Sequence, residues 1–231
     1  MMSEFLAGVR RALPVVLSAL PFGLLFGALA VDNGLSIGQA VLMSATVFAG
    51  ASQMVGLELF GTDASAWLIA ASIFVVNVRH LLYSATLGRR MTGFSSGQKA
   101  VSFFLLTDPQ FAEAEREAEA TGGFSFAWYL GVGVAFYGMW QAGTLTGAVF
   151  GRLIADPERW GIDFLLTIYF LGLVMGFRKR AFWLPVVAVS ALASVVAIKL
   201  VGSPWHISVG ALAGVLFAAA FGVRGQGRAD G

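Results

Sequence analysis

The chain contains no cysteine, so disulfides and thiolate metal sites are excluded. Charge is scarce: Asp, Glu, Lys and Arg make up 12% of the 231 residues, against about 25% in an ordinary soluble domain. The only histidines, His80 and His206, lie too far apart in sequence to form a recognisable metal-ligand spacing. No Gly-x-x-x-x-Gly-Lys-Ser/Thr loop occurs, so the chain carries no device of that kind for using ATP. Nothing in the residues calls for a cofactor. Long polar stretches are almost missing too, which leaves little chain for a water-soluble domain.

Hydrophobic residues make up 58% of the chain, with 20 Phe and 29 Gly. Apolar segments run approximately over 12–31, 38–60, 64–87, 99–111, 124–150, 160–177, 181–201 and 205–223. A stretch of about 20 such residues spans a hydrocarbon core ~30 Å thick. The fold class expected is therefore all-α: a polytopic transmembrane helix bundle of about six to eight segments. Residues 1–223 form the integral membrane domain, and 224–231 a polar, disordered C-terminal tail. The net charge of +2 and pI near 9.2 do not point to nucleic acid. The basic residues sit beside apolar segments, where they orient helices in the lipid bilayer. Arg10 and Arg11 before an apolar run imitate a signal peptide, but the run is longer than the usual ~7–15 residues. An uncleaved first helix is expected.

Connections between segments are short, as in antiparallel neighbours. Treating all eight segments as crossings scatters the basic loops over both faces. If 38–60 and 99–111 instead return to the side they entered from, Arg10, Arg11, Arg89, Arg90, Lys99, Arg178, Lys179, Arg180, Arg224 and Arg228 share the cytoplasmic face. The positive-inside rule favours this arrangement of six crossings with two broken or re-entrant segments. Glu113 to Gly123 reads as a solvated helical extension closed by a glycine break. Gly23/Gly27, Gly143/Gly147/Gly151, Gly172/Gly176 and Gly210/Gly214 follow the small-xxx-small rule for close helix packing.

Three places interrupt the apolar pattern. On a helix over 72–84, Ser72, Asn77, Arg79, His80, Tyr83 and Ser84 share an arc roughly 160° wide, with Phe74, Val78, Leu81 and Leu82 opposite. Polar groups at membrane depth face a bundle interior or a wet cavity, or snorkel to the interface from a helix end. Phe48-Ala49-Gly50-Ala51-Ser52-Gln53 puts small and polar residues midway through an apolar stretch. It suits an unwound or closely approached backbone near Gly50, where exposed N–H groups hold a carboxylate and freed C=O groups a cation or ammonium, or a small-residue helix contact with Gln53 as interhelical glue. Thr107-Asp108-Pro109 either caps a helix starting at Pro109 or presents the Asp108 carboxylate to a cavity. Tyr137, Gln141 and Thr144 share a further helix face, as a cavity wall or as packing hydrogen bonds. His206, beside Pro204 and Trp205, looks interfacial.

The substrate-binding candidates are thus Gly50, Ser52, Gln53, Asn77, Arg79 and Tyr83, and the proton-coupling candidates His80 and Asp108. These motifs, with Leu13-Pro14, Pro21-Phe22-Gly23, Asn77-Val78-Arg79-His80-Leu81-Leu82-Tyr83-Ser84 and Leu105-Leu106-Thr107-Asp108, resemble the AzlC family, the large subunits of branched-chain amino acid exporters. Where that family often has an acidic residue before Ala-Phe-Ala, this chain has Pro109-Gln110-Phe111-Ala112. The resemblance implies export of valine, leucine or isoleucine together with a small membrane subunit of the AzlD type, driven by the proton motive force. Other readings stay open from the residues alone: a channel or transporter for another solute, a non-transporting scaffold, or an intramembrane hydrolase using Ser52 and His80.

Overall fold

The computed structural model describes residues 1–60, 65–151, 171–172, 174–202 and 205–222. The expected crossing over 160–177, the loops at Asp63 and Asp156, and the tail fall mainly or wholly outside the described residues. Every described element is helical. In chain order they are α1 (Met2–Asp32), α2 (Ile37–Val47), α3 (Gly50–Phe60), α4 (Ala66–Gly88), α5 (Ser96–Phe104), α6 (Asp108–Thr121), α7 (Phe126–Phe150), α8 (Trp183–Leu200) and α9 (Trp205–Phe217), which runs into a π-helical turn over Ala218–Gly222. Among the described residues, three stretches are long and apolar enough to cross a bilayer: Met2–Asp32, Ile69–Gly88 and Trp183–Leu200. The 25 residues of α7 also reach far enough, at about 1.5 Å per residue. One face of α7 packs against protein, while Val134, Leu145, Val149 and Phe150 are exposed.

α1 and α7 lie side by side and run parallel, backbone on backbone. A Cβ added at Gly8 would strike the Trp128 carbonyl, one at Gly27 the Thr144 carbonyl, and one at Gly147 the Leu24 carbonyl. Gly23 and Gly143 face each other, each within 3.3 Å of where the other's Cβ would stand. The glycine spacing read from the sequence is here a packing seam, as small residues between membrane helices should make. α8 and α9 form an antiparallel pair, with Ser190 Oγ donating to the Gly210 carbonyl at 2.8 Å.

Ion pairs fix which ends meet. Arg11 of α1 reaches Glu113 at 2.6 Å, and Arg90, just past α4, reaches Glu115 at 3.0 Å. Arg180, just before α8, bonds Glu115 and Glu119. The start of α1, the end of α4, the outer part of α6 and the start of α8 therefore share one basic end. The positive-inside rule places that end in the cytoplasm. Glu113 and Glu115 are only 2% and 4% exposed, so the first part of the 113–123 segment is not solvated as its composition suggests, whereas Glu119 to Gly122 are exposed. The two buried carboxylates lie beneath arginines from three other parts of the chain.

Two hairpins follow from this polarity. α1 leaves the basic end and α4 returns to it, so residues 37–60 enter and leave from the far end. Met43 of α2 accordingly approaches Gly56 of α3, its Cε lying 3.1 Å from where a Cβ would stand. α5 enters from the basic end and α6 goes back to it. Their tips meet inside the bundle, where Phe48 and Phe104 stack with ring centroids 6.5 Å apart.

The break in the first hairpin sits two residues earlier than Gly50. Phe48 closes α2 in the left-handed conformation, φ 38° and ψ 45°, which costs a non-glycine residue roughly 1–2 kcal/mol. Its ring offsets this strain, packing edge-on against Tyr137 at 4.9 Å. The helix starts are locally encoded: Ser36 with Gln39 and Ser95 with Gln98 form complete capping boxes for α2 and α5. Pro109 in the first turn of α6 and left-handed Gly122 at its end, φ 86°, bound that helix.

Candidate functional site

Where the two hairpin tips approach α1, α4 and α7 there is a cavity of about 70 Å³. A single water needs about 10–15 Å³ on that measure. Its polar lining is Arg79 and His80 from α4 with Thr107 and Asp108 from the second hairpin. The first hairpin supplies Phe48 through Ala51 and Met54, while Val16, Ala19 and Phe22 come from α1 and Phe136, Met139 and Trp140 from α7. Most of the wall is therefore apolar.

Asp108 is the hub of the polar part. Arg79 Nη2 lies 3.0 Å from one carboxylate oxygen, and the Tyr83 hydroxyl donates to the other at 2.9 Å. Arg79 and Asp108 are 25% and 17% exposed, so the guanidinium does not simply snorkel to the interface. Thr107 occupies the N-cap position of α6 but its side chain makes no capping bond. Thr107 Oγ1 and His80 Nδ1 are both buried without a hydrogen-bond partner among the described residues. The Tyr83 ring stacks on Phe111 at 4.3 Å, which holds its hydroxyl over Asp108.

The candidates named from sequence divide into two groups. Gly50, Arg79, His80 and Asp108 line the cavity, with Tyr83 touching it through Asp108. Ser52, Gln53 and Asn77 stand behind it. Ser52 Oγ donates to Asn77 Oδ1 at 2.7 Å, joining α3 to α4. Gln53 Nε2 donates to Ser44 Oγ at 2.9 Å, Trp140 Nε1 donates to Gln53 Oε1 at 3.1 Å, and Ser44 and Thr144 share a hydrogen bond of 2.8 Å. This buried chain ties the broken hairpin to α7. Fully used amides and hydroxyls of this kind set one arrangement of a core. Of the α7 face read from the sequence, Tyr137 donates to the Ala45 carbonyl at 3.1 Å and Thr144 joins the chain just described.

Sequence reasoning missed the apolar wall, above all Trp140. An indole beside Gln141, in mid-helix, was the available signal, since a buried Trp N–H needs a partner. Phe22, Met54, Phe136 and Met139 carried no signal, because in an apolar chain the residues facing a cavity look like those facing lipid.

α3 begins at Gly50, and its first intrahelical bond runs from Gln53 N–H to the Ala49 carbonyl. The N–H groups of the first turn are left to other acceptors. Thus the cavity combines a helix start, a guanidinium, a carboxylate, an imidazole and an apolar wall. That set can hold a small molecule bearing both charges and a hydrocarbon part.

Comparison with known proteins agrees with this picture of a membrane protein. The family model described as AzlC protein matches residues 14–154. The inner membrane protein YgaZ of Escherichia coli K12 is 29% identical over 94% of this chain and 90% of its own length. An uncharacterized membrane protein of Archaeoglobus fulgidus is 30% identical over 74% of each chain, and one of Helicobacter pylori 26695 is 26% identical over 90% of this chain and 92% of its own. No solved structure matches. With its match running from the first helix through the two hairpins to the end of α7, the chain belongs to the AzlC family.

Proposed function

We propose that this chain is the large subunit of a secondary exporter of branched-chain amino acids, working with a small AzlD-type membrane subunit and driven by protons. The observation that carries the reading is the Arg79–Asp108 pair in a cavity whose remaining wall is mostly apolar. An amino acid zwitterion exchanges one internal ion pair for two: its carboxylate goes to Arg79 and the N–H groups at the start of α3, its ammonium to Asp108. A molecule with a single charge leaves one partner of a semi-buried pair uncompensated, which is expensive. The hydrocarbon side chain lies on Phe22, Met54, Phe136 and Trp140.

Ser52, Asn77 and Gln53 position the helix start, and Tyr83 positions Asp108. His80 and Asp108, which share the cavity, are the coupling groups. The reaction is translocation and breaks no covalent bond, so the chain is a permease rather than an enzyme. A hydrolase would show itself through a serine-reactive probe on Ser52.

Counterflow of labelled valine, leucine and isoleucine into proteoliposomes, with the small subunit co-expressed, tests the reading. Exchange that disappears in Asp108→Ala supports it. A folded complex that exchanges no amino acid sinks it.

A further inference from the structure

The wall of the cavity contains one side chain held far more firmly than packing alone requires. Trp140 projects from α7, where its indole Nε1 donates to Gln53 Oε1 at 3.1 Å. Gln53 is itself fully buried and anchored on Ser44, whose hydroxyl bonds Thr144 one turn further along α7. On its other side the indole stacks against Phe26, with centroids 6.4 Å apart and planes 22° off parallel. Its six-membered edge then lies directly on Gly50: a Cβ there would stand 2.9 Å from Trp140 Cη2. Both Gly50 and Trp140 line the cavity.

We infer that Trp140 is the residue that limits the size of the transported side chain, and that Gly50 and Gln53 set where that limit stands. This rests on the transporter reading above and adds to it the residues that keep aromatic side chains out. A ring pinned by a hydrogen bond at one edge and a stacked partner on its face cannot swing away to admit a larger group. Glycine at position 50 leaves the space the indole edge occupies. Any larger residue there must push the ring or the hairpin into the cavity. Gln53 touches substrate in neither case and acts as a positioning residue, through the indole.

The test is a competition in proteoliposomes containing the full complex. Labelled alanine, valine, leucine and phenylalanine are each measured for counterflow, giving kcat and KM for wild type, Trp140→Leu, Gln53→Met and Gly50→Ala. The phenylalanine-to-valine ratio of kcat/KM is expected to rise at least about tenfold in Trp140→Leu and less in Gln53→Met. Gly50→Ala is expected to raise KM for leucine more than for alanine, and Trp140→Leu in the same chain to relieve that rise. Because Gly50→Ala crowds the indole but removes neither it nor any of its hydrogen-bonding partners, it keeps the test open should Trp140→Leu not assemble. An unchanged ratio in an active Trp140→Leu or Gln53→Met, or a Gly50→Ala that slows every substrate alike, overturns the size limit and leaves the transporter reading standing. Wild-type complex that exchanges no amino acid overturns both.

Discussion

Asp108 accepts a hydrogen bond from Tyr83 at one oxygen and faces the Arg79 guanidinium at the other. Each of these three side chains answers a problem set by the others. A lone carboxylate or guanidinium at membrane depth costs at least about 2.5–3.5 kcal/mol, and pairing removes much of that. Removing one partner leaves the other exposed to the full penalty. Arg79→Ala and Asp108→Ala are each expected to lower stability in detergent by about 3 kcal/mol, read as a fall in the midpoint of thermal aggregation. The exchanged pair Arg79→Asp with Asp108→Arg should recover a good part of that stability without recovering transport, because the ammonium and carboxylate subsites have traded places. Stability equal to that of wild type in all three variants would show that the pair contributes nothing. Phe48 poses a different residue-scale question. Its left-handed backbone favours glycine, whereas its ring supports Tyr137 and Phe104. Phe48→Gly should therefore be more stable than Phe48→Ala by about 1 kcal/mol, though both fall below wild type. Thermal melts of the two variants side by side decide it.

At the scale of elements, the α1–α7 seam and the clasp on α6 carry different kinds of stability. The seam is steric. Gly27 and Gly147 abut carbonyls of the opposing helix, so Gly147→Leu must separate the two backbones, at a cost of several kcal/mol where ordinary overpacking costs about 1–3. Loss of folded protein on size-exclusion chromatography is the expected outcome. The clasp is electrostatic: Glu113 is held by Arg11 and Arg116, and Glu115 by Arg90 and Arg180. Its arginine side chains are between 33% and 48% exposed, so water screens part of each attraction. Glu115→Gln should lower stability by only about 1–2 kcal/mol. The effect should show as faster hydrogen exchange along α6, since that helix loses its tie to the end of α4 and one of its two bonds to Arg180. The hairpins were partly legible beforehand. The charge pattern of Arg11, Arg90 and Arg180 implied segments that turn back, and both are seen. The position of the first break was not legible, because Gly50 is the better local choice. Only the contacts of Phe48 with α5 and α7 move the break to a residue that local preference would avoid. The same holds for Glu113 and Glu115, whose burial depends on arginines distant in sequence.

At the scale of the whole molecule, the ion pairs orient α1, α4, α6 and the start of α8 relative to one another. The natural sequence lacks cysteine, so single cysteines report topology without background. A cysteine replacing Asn33, between α1 and α2, should react with an impermeant maleimide from outside intact cells. One replacing Thr92, between α4 and α5, should react only after the membrane is opened. Labelling of both from one side would contradict the two-hairpin arrangement. The outward faces agree with a bilayer around the bundle: Phe74 and Leu81 on α4, and Leu184 and Leu192 on α8, are all more than 60% exposed.

Composition alone determined that this is a membrane protein without disulfides. Apolar length dictates what a bilayer will accept, and that property belongs to each segment separately. Helix starts were equally local, since Ser36 and Ser95 find their capping partners three residues away. The polar arc on α4 was visible for the same reason: helical periodicity places Asn77, His80 and Tyr83 on one face whatever surrounds them. The tertiary structure alone decided which of those polar groups meet a cavity and which tie helices together. Asn77 and Gln53 have the same chemistry in sequence as any buried amide. It is the approach of Ser52 to the first and of Trp140 to the second that uses them up, leaving Arg79, His80 and Asp108 to face the space between the hairpins. Hydrogen bonds are satisfied pairwise in three dimensions, and no spacing along the chain records which pairs will form.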